Sequence, residues 1–243
     1  MKAFLLAAGK GTRLKPLTDK MPKCLVPICG KPLLLIWIEL LERCGISEVL
    51  INTHHFFGQV EDFIDTVSVH TKLKITLVHE KKLLGNGGTV SVNRDFVKGE
   101  SDFIIAYADN LTNLNIREMI DCHMKYKLQG CDLTMGLFRV SNPSACGIAE
   151  VNAQGKITAF VEKPENPPDN LANAGIYIAS NKIFDFFPKP GEDLESNVLD
   201  FGHHILPRMT DRMYGYEIKE YLRDIGTMES YGKAGKEWPE QIV

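Results

Sequence analysis

Leu5-Leu6-Ala7-Ala8-Gly9-Lys10-Gly11-Thr12-Arg13-Leu14 sets a glycine-bearing loop directly behind an apolar run, and that junction decides the fold. The run from Lys2 to Ala8 predicts a first core strand. The small residues behind it allow backbone N–H groups to turn inward and cradle an anion. The loop lacks the G-K-[ST] ending of a Walker A loop, and Leu14 stands where a Rossmann fingerprint carries its third glycine. By its glycines alone, an ordinary strand-to-loop turn is the better reading. Weight comes from the basic, proline-stiffened stretch that follows, Pro16-Leu17-Thr18 and Met21-Pro22-Lys23-Cys24-Leu25-Val26-Pro27. There Arg13 offers a fork of donors and Lys23 a point charge for phosphate oxygens. The same residues read equally as a solvated basic loop.

Outward from this loop the chain alternates. Pro32 to Arg43 reads as a helix, Glu48 to Thr53 as a strand, Gln59 to Val67 as a helix and Lys74 to His79 as a strand. A glycine-rich segment at Gly85 to Gly88, a strand at Asp102 to Ala108 and a helix at Asn115 to Gln129 follow. This predicts an α/β fold, a Rossmann-like mixed and mostly parallel sheet flanked by helices, with ligands gathering at the carboxyl ends of the strands. Gly147 to Asn152 and Lys156 to Glu162, joined by Ala153-Gln154-Gly155, predict an inserted β-hairpin. After Pro164 to Pro168 come a strand at Ala174 to Ala179 and helical stretches near Leu194 to Met209 and Thr227 to Lys236. With no internal repeat and no long linker, residues 1–243 are expected to form a single domain without an appended left-handed β-helix.

Composition narrows the class. The 243 residues carry 28 Lys plus Arg against 31 Asp plus Glu, a net charge of −3, so neither a nucleic-acid partner nor an acidic tail is expected. At 44% apolar residues the chain can build a core without disulfide staples. The longest apolar runs fall far short of the roughly 20 residues that cross a bilayer, so no membrane partner is expected. Six cysteines scattered without a C-x-x-C pair fit reduced thiols and a cytoplasmic setting. The doublets His54-His55 and His203-His204 lack the i, i+4 spacing of a helical metal site and suit helix ends and pocket walls better.

Gly9-Lys10-Gly11-Thr12-Arg13-Leu14 with Pro22-Lys23 resembles the signature of the sugar-1-phosphate nucleotidylyltransferases. Further matches follow in that family's order: Glu80 with Leu84-Gly85-Asn86-Gly87-Gly88, Ala108-Asp109-Asn110, Phe160-Val161-Glu162-Lys163-Pro164, Asn173-Ala174-Gly175 and Asp224-Ile225-Gly226. The resemblance implies a nucleotide-diphospho-sugar transferase fold. It also implies a reaction joining a nucleoside triphosphate and a sugar-1-phosphate into a nucleoside-diphosphate-sugar and pyrophosphate. Such chemistry needs no protein nucleophile, because the sugar phosphate oxygen is already ionised and catalysis reduces to positioning and charge neutralisation.

By the same resemblance Leu6, Ala8, Gly9, Gly11, Thr12, Arg13, Lys23, Glu80 and Gly85 would contact the nucleotide, and Gly147, Glu162, Lys163 and Asn173 the sugar phosphate. Asp109 and Asp224 would hold Mg²⁺, a hard cation that keeps several waters and takes few protein ligands. Arg13, Lys23, Asp109, Lys163 and Asp224 form the implied catalytic set. Read without the resemblance, Asp109 is a turn or helix-cap residue and Glu162-Lys163 an exposed ion pair of little worth. Two departures stand out: Cys146 where the family often carries Tyr, and Ala8 where it often carries Gly. The run Leu84 to Gly88 is similar to that of the mannose- and heptose-1-phosphate guanylyltransferases, which favours GTP with a hexose- or heptose-1-phosphate for cell-surface polysaccharide precursors. N-acetylmuramate-1-phosphate uridylyl transfer, glucose-1-phosphate thymidylyl transfer and a nucleotide-sugar-binding regulator are the alternatives. A homo-oligomer is left open.

Overall fold

The computed structural model describes residues 1–189, 192 and 198–238. In chain order the elements begin with β1 (Lys2–Leu6), β2 (Pro27–Ile28), β3 (Lys31–Pro32), α1 (Leu33–Arg43), β4 (Glu48–Thr53), α2 (Phe57–Ser68) and β5 (Lys74–His79). Then come α3 (Asn86–Val92), β6 (Asp102–Tyr107), β7 (Asn110–Thr112), α4 (Ile116–Lys127), β8 (Leu133–Arg139), β9 (Gly147–Val151), β10 (Ile157–Glu162) and β11 (Leu171–Ser180). The series closes with β12 (Met213–Glu217), β13 (Leu222–Asp224) and α5 (Met228–Glu237). The chain is mixed α/β, as its alternation predicts, and divides into two compact units. The first comprises Met1–Leu83, Ala106–Asn115 and the segment from Glu220 onward; the second comprises Leu84–Ile105 and Ile116–Lys219.

In the first unit β1 pairs with β4 and β4 with β5, all parallel. Ala3, Phe4 and Leu5 are fully buried, the mark of a strand covered on both faces, where a continuous apolar run replaces alternation. Helix α1 buries seven of its eleven residues. The Trp37 indole N–H donates to the Asn110 carbonyl at 2.7 Å, which satisfies its one polar atom inside the core. Gly45, at φ +80°, lies just past the end of α1, where a left-handed residue ends a helix at least cost. The short ladder of β7 with β13 is antiparallel and sets Asp224 opposite Asn110.

In the second unit β11 pairs antiparallel with β8, and β12 adds to β8 in parallel. The expected hairpin is present as β9 and β10. Its turn is tied by the Asn152 side chain, whose Oδ1 accepts from the Gln154 and Lys156 N–H groups at 3.0 Å each. Gly155 takes φ +82°, and a β-carbon there would lie 2.5 Å from the Tyr126 hydroxyl, so two constraints demand glycine.

Several local expectations need correction. The glycine-rich segment opens helix α3 rather than forming a loop throughout. Gly87 and Gly88 pack against Leu199, and the hydrogen bonds their N–H groups give its carbonyl offset their poor helix propensity. Strands β8 and β12 had no counterpart in the sequence reading. The helical stretch at Leu194 to Met209 is, where described, a π turn at Phe201–Ile205 followed by a 3-10 turn at Leu206–Met209; residues 194–197 lie outside the described residues.

Candidate active site

The first unit gathers one cluster of charge around the end of β1. Ala7, just past the strand, donates its N–H to Asn52 Oδ1 at 2.8 Å, and Asn52 passes its own amide hydrogen to Glu80 Oε1 at 2.8 Å. Glu80, expected at the base, is thus a buried carboxylate that fixes Asn52 beneath the loop. Gly11 adopts φ +62°, and a β-carbon there would meet the Thr18 methyl at 2.8 Å. The Thr18 hydroxyl in turn donates to the Gly11 carbonyl at 2.7 Å, pinning the loop. At Gly9 a β-carbon would meet no protein atom within 4 Å, so packing does not dictate glycine there. Thr12, Arg13 and Leu14 form a 3-10 turn with Arg13 exposed and Leu14 fully buried, which anchors the loop and frees the guanidinium.

Lys23 is the centre of this cluster. It opens the 3-10 turn after Pro22, is 8% exposed, and sends its ammonium to Asp109 Oδ2 at 2.8 Å and Asp224 Oδ1 at 3.5 Å. Asp109 occupies the turn between β6 and β7, and Ile225 N–H donates to its carbonyl at 2.9 Å, so the short ladder clasps the two carboxylates side by side. A β-carbon at Gly226 would lie 2.7 Å from Asp224 Oδ2 and 3.2 Å from an Arg13 amino nitrogen, which places Arg13 beside the acidic pair. Partial burial and the neighbouring Asp109 hold the Asp224 carboxyl above the ordinary aspartate range, against the pull of Lys23 and Arg13. Burial pushes the adjacent Cys24 thiol up to about 12, which keeps it a thiol and unreactive. Leu6, Ala7, Gly9, Lys23 and Asp109 line a pocket of about 30 Å³ at this point.

The second unit gathers a different set. Glu162 ends β10, and its Oε2 lies 2.5 Å from where a β-carbon of Gly147 would stand and 2.4 Å from that of Gly202. Both glycines therefore make room for one carboxylate. Burial and the negative Asp200 raise the Glu162 carboxyl above its usual range, opposed by Lys163 and His203. Lys163 lies one residue past the strand at φ +49°, its ammonium 3.9 Å from Glu162 Oε1 and its side chain 60% exposed. Asn173 follows Ala172, which pairs with Ile148 beside Gly147, and its amide donates to the Tyr177 hydroxyl at 2.7 Å.

Of the expected nucleotide contacts, Gly85 alone falls in the second unit, at φ +81°, where a β-carbon would meet the Leu199 carbonyl oxygen at 2.4 Å. Cys146 is half-buried, and its carbonyl accepts the Lys163 N–H at 3.0 Å. Sequence reasoning missed Asn52, Thr18, Asp200 and Gly202. Asp200 caps the π turn by accepting the His203 N–H at 3.1 Å and takes the Asn86 amide at 2.9 Å. An acid two residues before a glycine, ahead of the histidine doublet, was the available signal. His204 is engaged locally, its Nδ1 accepting the Asp200 N–H at 3.0 Å.

The first unit thus sets a glycine loop and an acidic pair gathered on a lysine at the end of a parallel strand, and the second holds a glutamate cradled by glycines. Comparison makes the class specific: residues 2–241 match the family described as Nucleotidyl transferase, and the chain belongs to that family. It is 30% identical over 235 residues to the mannose-1-phosphate guanylyltransferase catalytic subunit beta of Xenopus tropicalis, covering 95% of this chain and 62% of that one. The chain thus spans less than two thirds of that relative's length. Among solved structures, a putative glucose-1-phosphate thymidylyltransferase from Bacillus anthracis superposes with TM-score 0.84 at 24% identity, covering 100% of this chain and 96% of that one. HddC from Yersinia pseudotuberculosis, solved with GMP-PN, superposes with TM-score 0.77 at 26% identity, covering 98% and 99%. The fold is that of the nucleotide-diphospho-sugar transferases.

Proposed function

We propose that this chain transfers a nucleotidyl group from a nucleoside triphosphate, GTP favoured, to a hexose- or heptose-1-phosphate. The observation that carries this reading is Lys23, whose ammonium reaches Asp109 and Asp224 from 86 and 201 residues away in sequence. Two carboxylates whose oxygens converge on one cation form a hard-oxygen donor set that fits Mg²⁺. Asp109 and Asp224 would hold that ion. Bound there, it supplies polarisation of the α-phosphoryl group. Arg13 and Lys23 neutralise the phosphate oxygens of the triphosphate, while the loop from Leu6 through Ala8 and Gly9 to Thr12 and the buried Glu80 shape the nucleotide seat. In the second unit Lys163 grips the sugar phosphate, and Glu162, Asn173 and the backbone at Gly147 take the sugar hydroxyls.

The step balances simply. A sugar phosphate oxygen forms a bond to the α-phosphorus, the bond from that phosphorus to its bridging oxygen breaks, and pyrophosphate leaves with the electron pair. No proton need move, so the chemistry asks for no nucleophile-and-base pair. We place the reaction in the cytoplasm, where the six free cysteines stay reduced, and its product in the supply of activated sugars for surface glycans. The guanylyltransferase relative and the GMP-PN complex of HddC support guanine; the likeness to a putative thymidylyltransferase favours thymine as the second reading.

The test is pyrophosphate release with Mg²⁺ across GTP, UTP, dTTP, CTP and ATP, each paired with mannose-, heptose-, glucose- and N-acetylmuramate-1-phosphate. Release that needs both substrates, greatest with GTP, is the expected result. Nucleotide binding without release in any pairing would overturn the enzyme reading in favour of a regulator.

Two variants of the second unit probe the sugar side. Lys163→Ala is expected to raise the KM for sugar phosphate by about tenfold to a hundredfold, the worth of one charge-assisted hydrogen bond, and to leave the KM for nucleotide nearly unchanged. Equal effects on both would remove Lys163 from the sugar phosphate. Glu162→Gln has two expected effects of opposite sign. Because the folded protein favours the protonated Glu162, this group's contribution to stability is present at low pH and lost as pH rises through its raised pKa. The neutral isostere therefore melts higher than the parent at pH 7, the gain vanishes on acidification, and sugar phosphate binding weakens. A lower melting temperature at pH 7 would show that the carboxylate is a net stabiliser.

A further inference from the structure

We infer that the second unit carries a separate binding site for a small phosphorylated metabolite, formed by Lys127, Arg212 and Lys182 around a pocket of about 280 Å³. None of the residues lining this pocket belongs to the Glu162 set or to the acidic cluster on Lys23. Two of the three cations are held from behind by buried carboxylates. Asp102, its side chain 1% exposed, accepts two bonds from the Lys127 ammonium at 2.7 and 2.6 Å. Asp132, 5% exposed, accepts from Arg212 Nε at 2.7 Å and pairs with a terminal nitrogen of the same guanidinium.

Pairs of this kind return little net stability once the cost of desolvating a buried carboxylate is counted. Here both fix a cation at one opening. Donor accounting shows what remains available: among the described residues Asp102 engages two of the three Lys127 ammonium hydrogens, and Asp132 two of the five guanidinium hydrogens on Arg212. Lys182 is exposed and, among the described residues, in no ion pair, so its charge is uncompensated. His123, which with the Ser101 hydroxyl also contacts Asp102, is fully buried, and that burial lowers its pKa, so it adds no positive charge at neutral pH.

Three cations over two acids leave the pocket positive. Arg212 presents its remaining donors in the planar fork that matches phosphate oxygens, with lysines on either side as point charges. The volume sits near the lower end of small-molecule sites, about 300 Å³, which suits a phosphate on a compact polar body rather than a nucleoside triphosphate. Ser101, Ser180 and Asn181 add polar groups to the wall, beside Gly130, Cys131 and the Asp132 carboxylate that Arg212 neutralises.

The test follows the Arg212 Nε–Hε resonance in ¹⁵N-arginine-labelled protein, assigned with Arg212→Lys, during titration with glycerol 3-phosphate, inorganic phosphate or glycerol at fixed ionic strength. The expected result is a saturable shift with glycerol 3-phosphate, weaker saturation with phosphate and none with glycerol. Lys182→Ala, a change at an exposed side chain that leaves the fold and basal pyrophosphate release intact, should weaken glycerol 3-phosphate about tenfold, and Lys182→Glu should abolish its binding. A shift that never saturates, or that chloride reproduces, would mean an adventitious ion only and overturn the site. Equal affinity for phosphate and glycerol 3-phosphate would overturn the metabolite assignment.

Discussion

Asp109→Ala is expected to lower turnover in Mg²⁺ by about a thousandfold or more while leaving the fold intact, since on the proposed reading it would remove a ligand to a charge-stabilising cation and forfeit several kcal/mol of transition-state stabilisation. The exposure of Asp109, 42% for its side chain, is why the fold should tolerate the change. Removal also leaves the Lys23 ammonium, almost fully buried, with one longer carboxylate contact at 3.5 Å. A readout independent of turnover is available: Asp224 loses the like charge that helps to hold its carboxyl high, so its pKa should fall. Full activity in Mg²⁺ together with an unmoved Asp224 titration would remove Asp109 from the centre.

Arg13→Ala is expected to cut the chemical step by about a hundredfold to a thousandfold, with smaller changes in KM. In the proposed reaction pyrophosphate gains charge as it leaves, and a guanidinium stationed beside the acidic pair would stabilise that charge more than the ground state. Arg13 is exposed on a loop whose anchors are Leu14, Gly11 and Thr18, so its loss costs the fold little. Single-turnover rates measured at saturating substrates isolate this effect. Unchanged rates would reassign Arg13 to ground-state binding or to the loop's solvated face.

Much of the architecture was legible because its signals are local. Strands β4 and β5 appear with the expected ends, Glu48–Thr53 and Lys74–His79, since β-branched and apolar runs bounded by polar turns leave little choice. Strand β8 was not legible: Leu133-Thr134-Met135-Gly136-Leu137 carries a glycine that weakens a strand on propensity. The pairing of Gly136 with Tyr216 in β12, far along the chain, is what secures it.

The candidate site divides in the same way. Arg13, Lys23, Asp109 and Lys163 stand in short stretches whose order carries the family likeness. Asp200 and Gly202 become visible only once the fold lays their segment against Glu162. The likeness names Gly147 as a sugar contact, whereas the structure shows the Glu162 carboxylate and the Phe160 ring where a methyl group would be. The base and sugar are not legible for a related cause: such choices rest on a few hydrogen bonds, many from backbone atoms that every residue type carries.

The short β7–β13 ladder has a consequence for biosynthesis. The first unit is assembled from three stretches of chain interrupted by the whole of the second, so on the ribosome its acidic pair stays incomplete until Asp224 has emerged from the exit tunnel. Until then Lys23 can find only one of its two carboxylates. Closing a loop of 201 residues is an entropic cost met late, after the more local pairings of the second unit have had time to form. The nascent chain can therefore cradle Glu162 between Gly147 and Gly202 before its paired aspartates meet, and a chain stalled short of β13 would leave Lys23 with Asp109 alone.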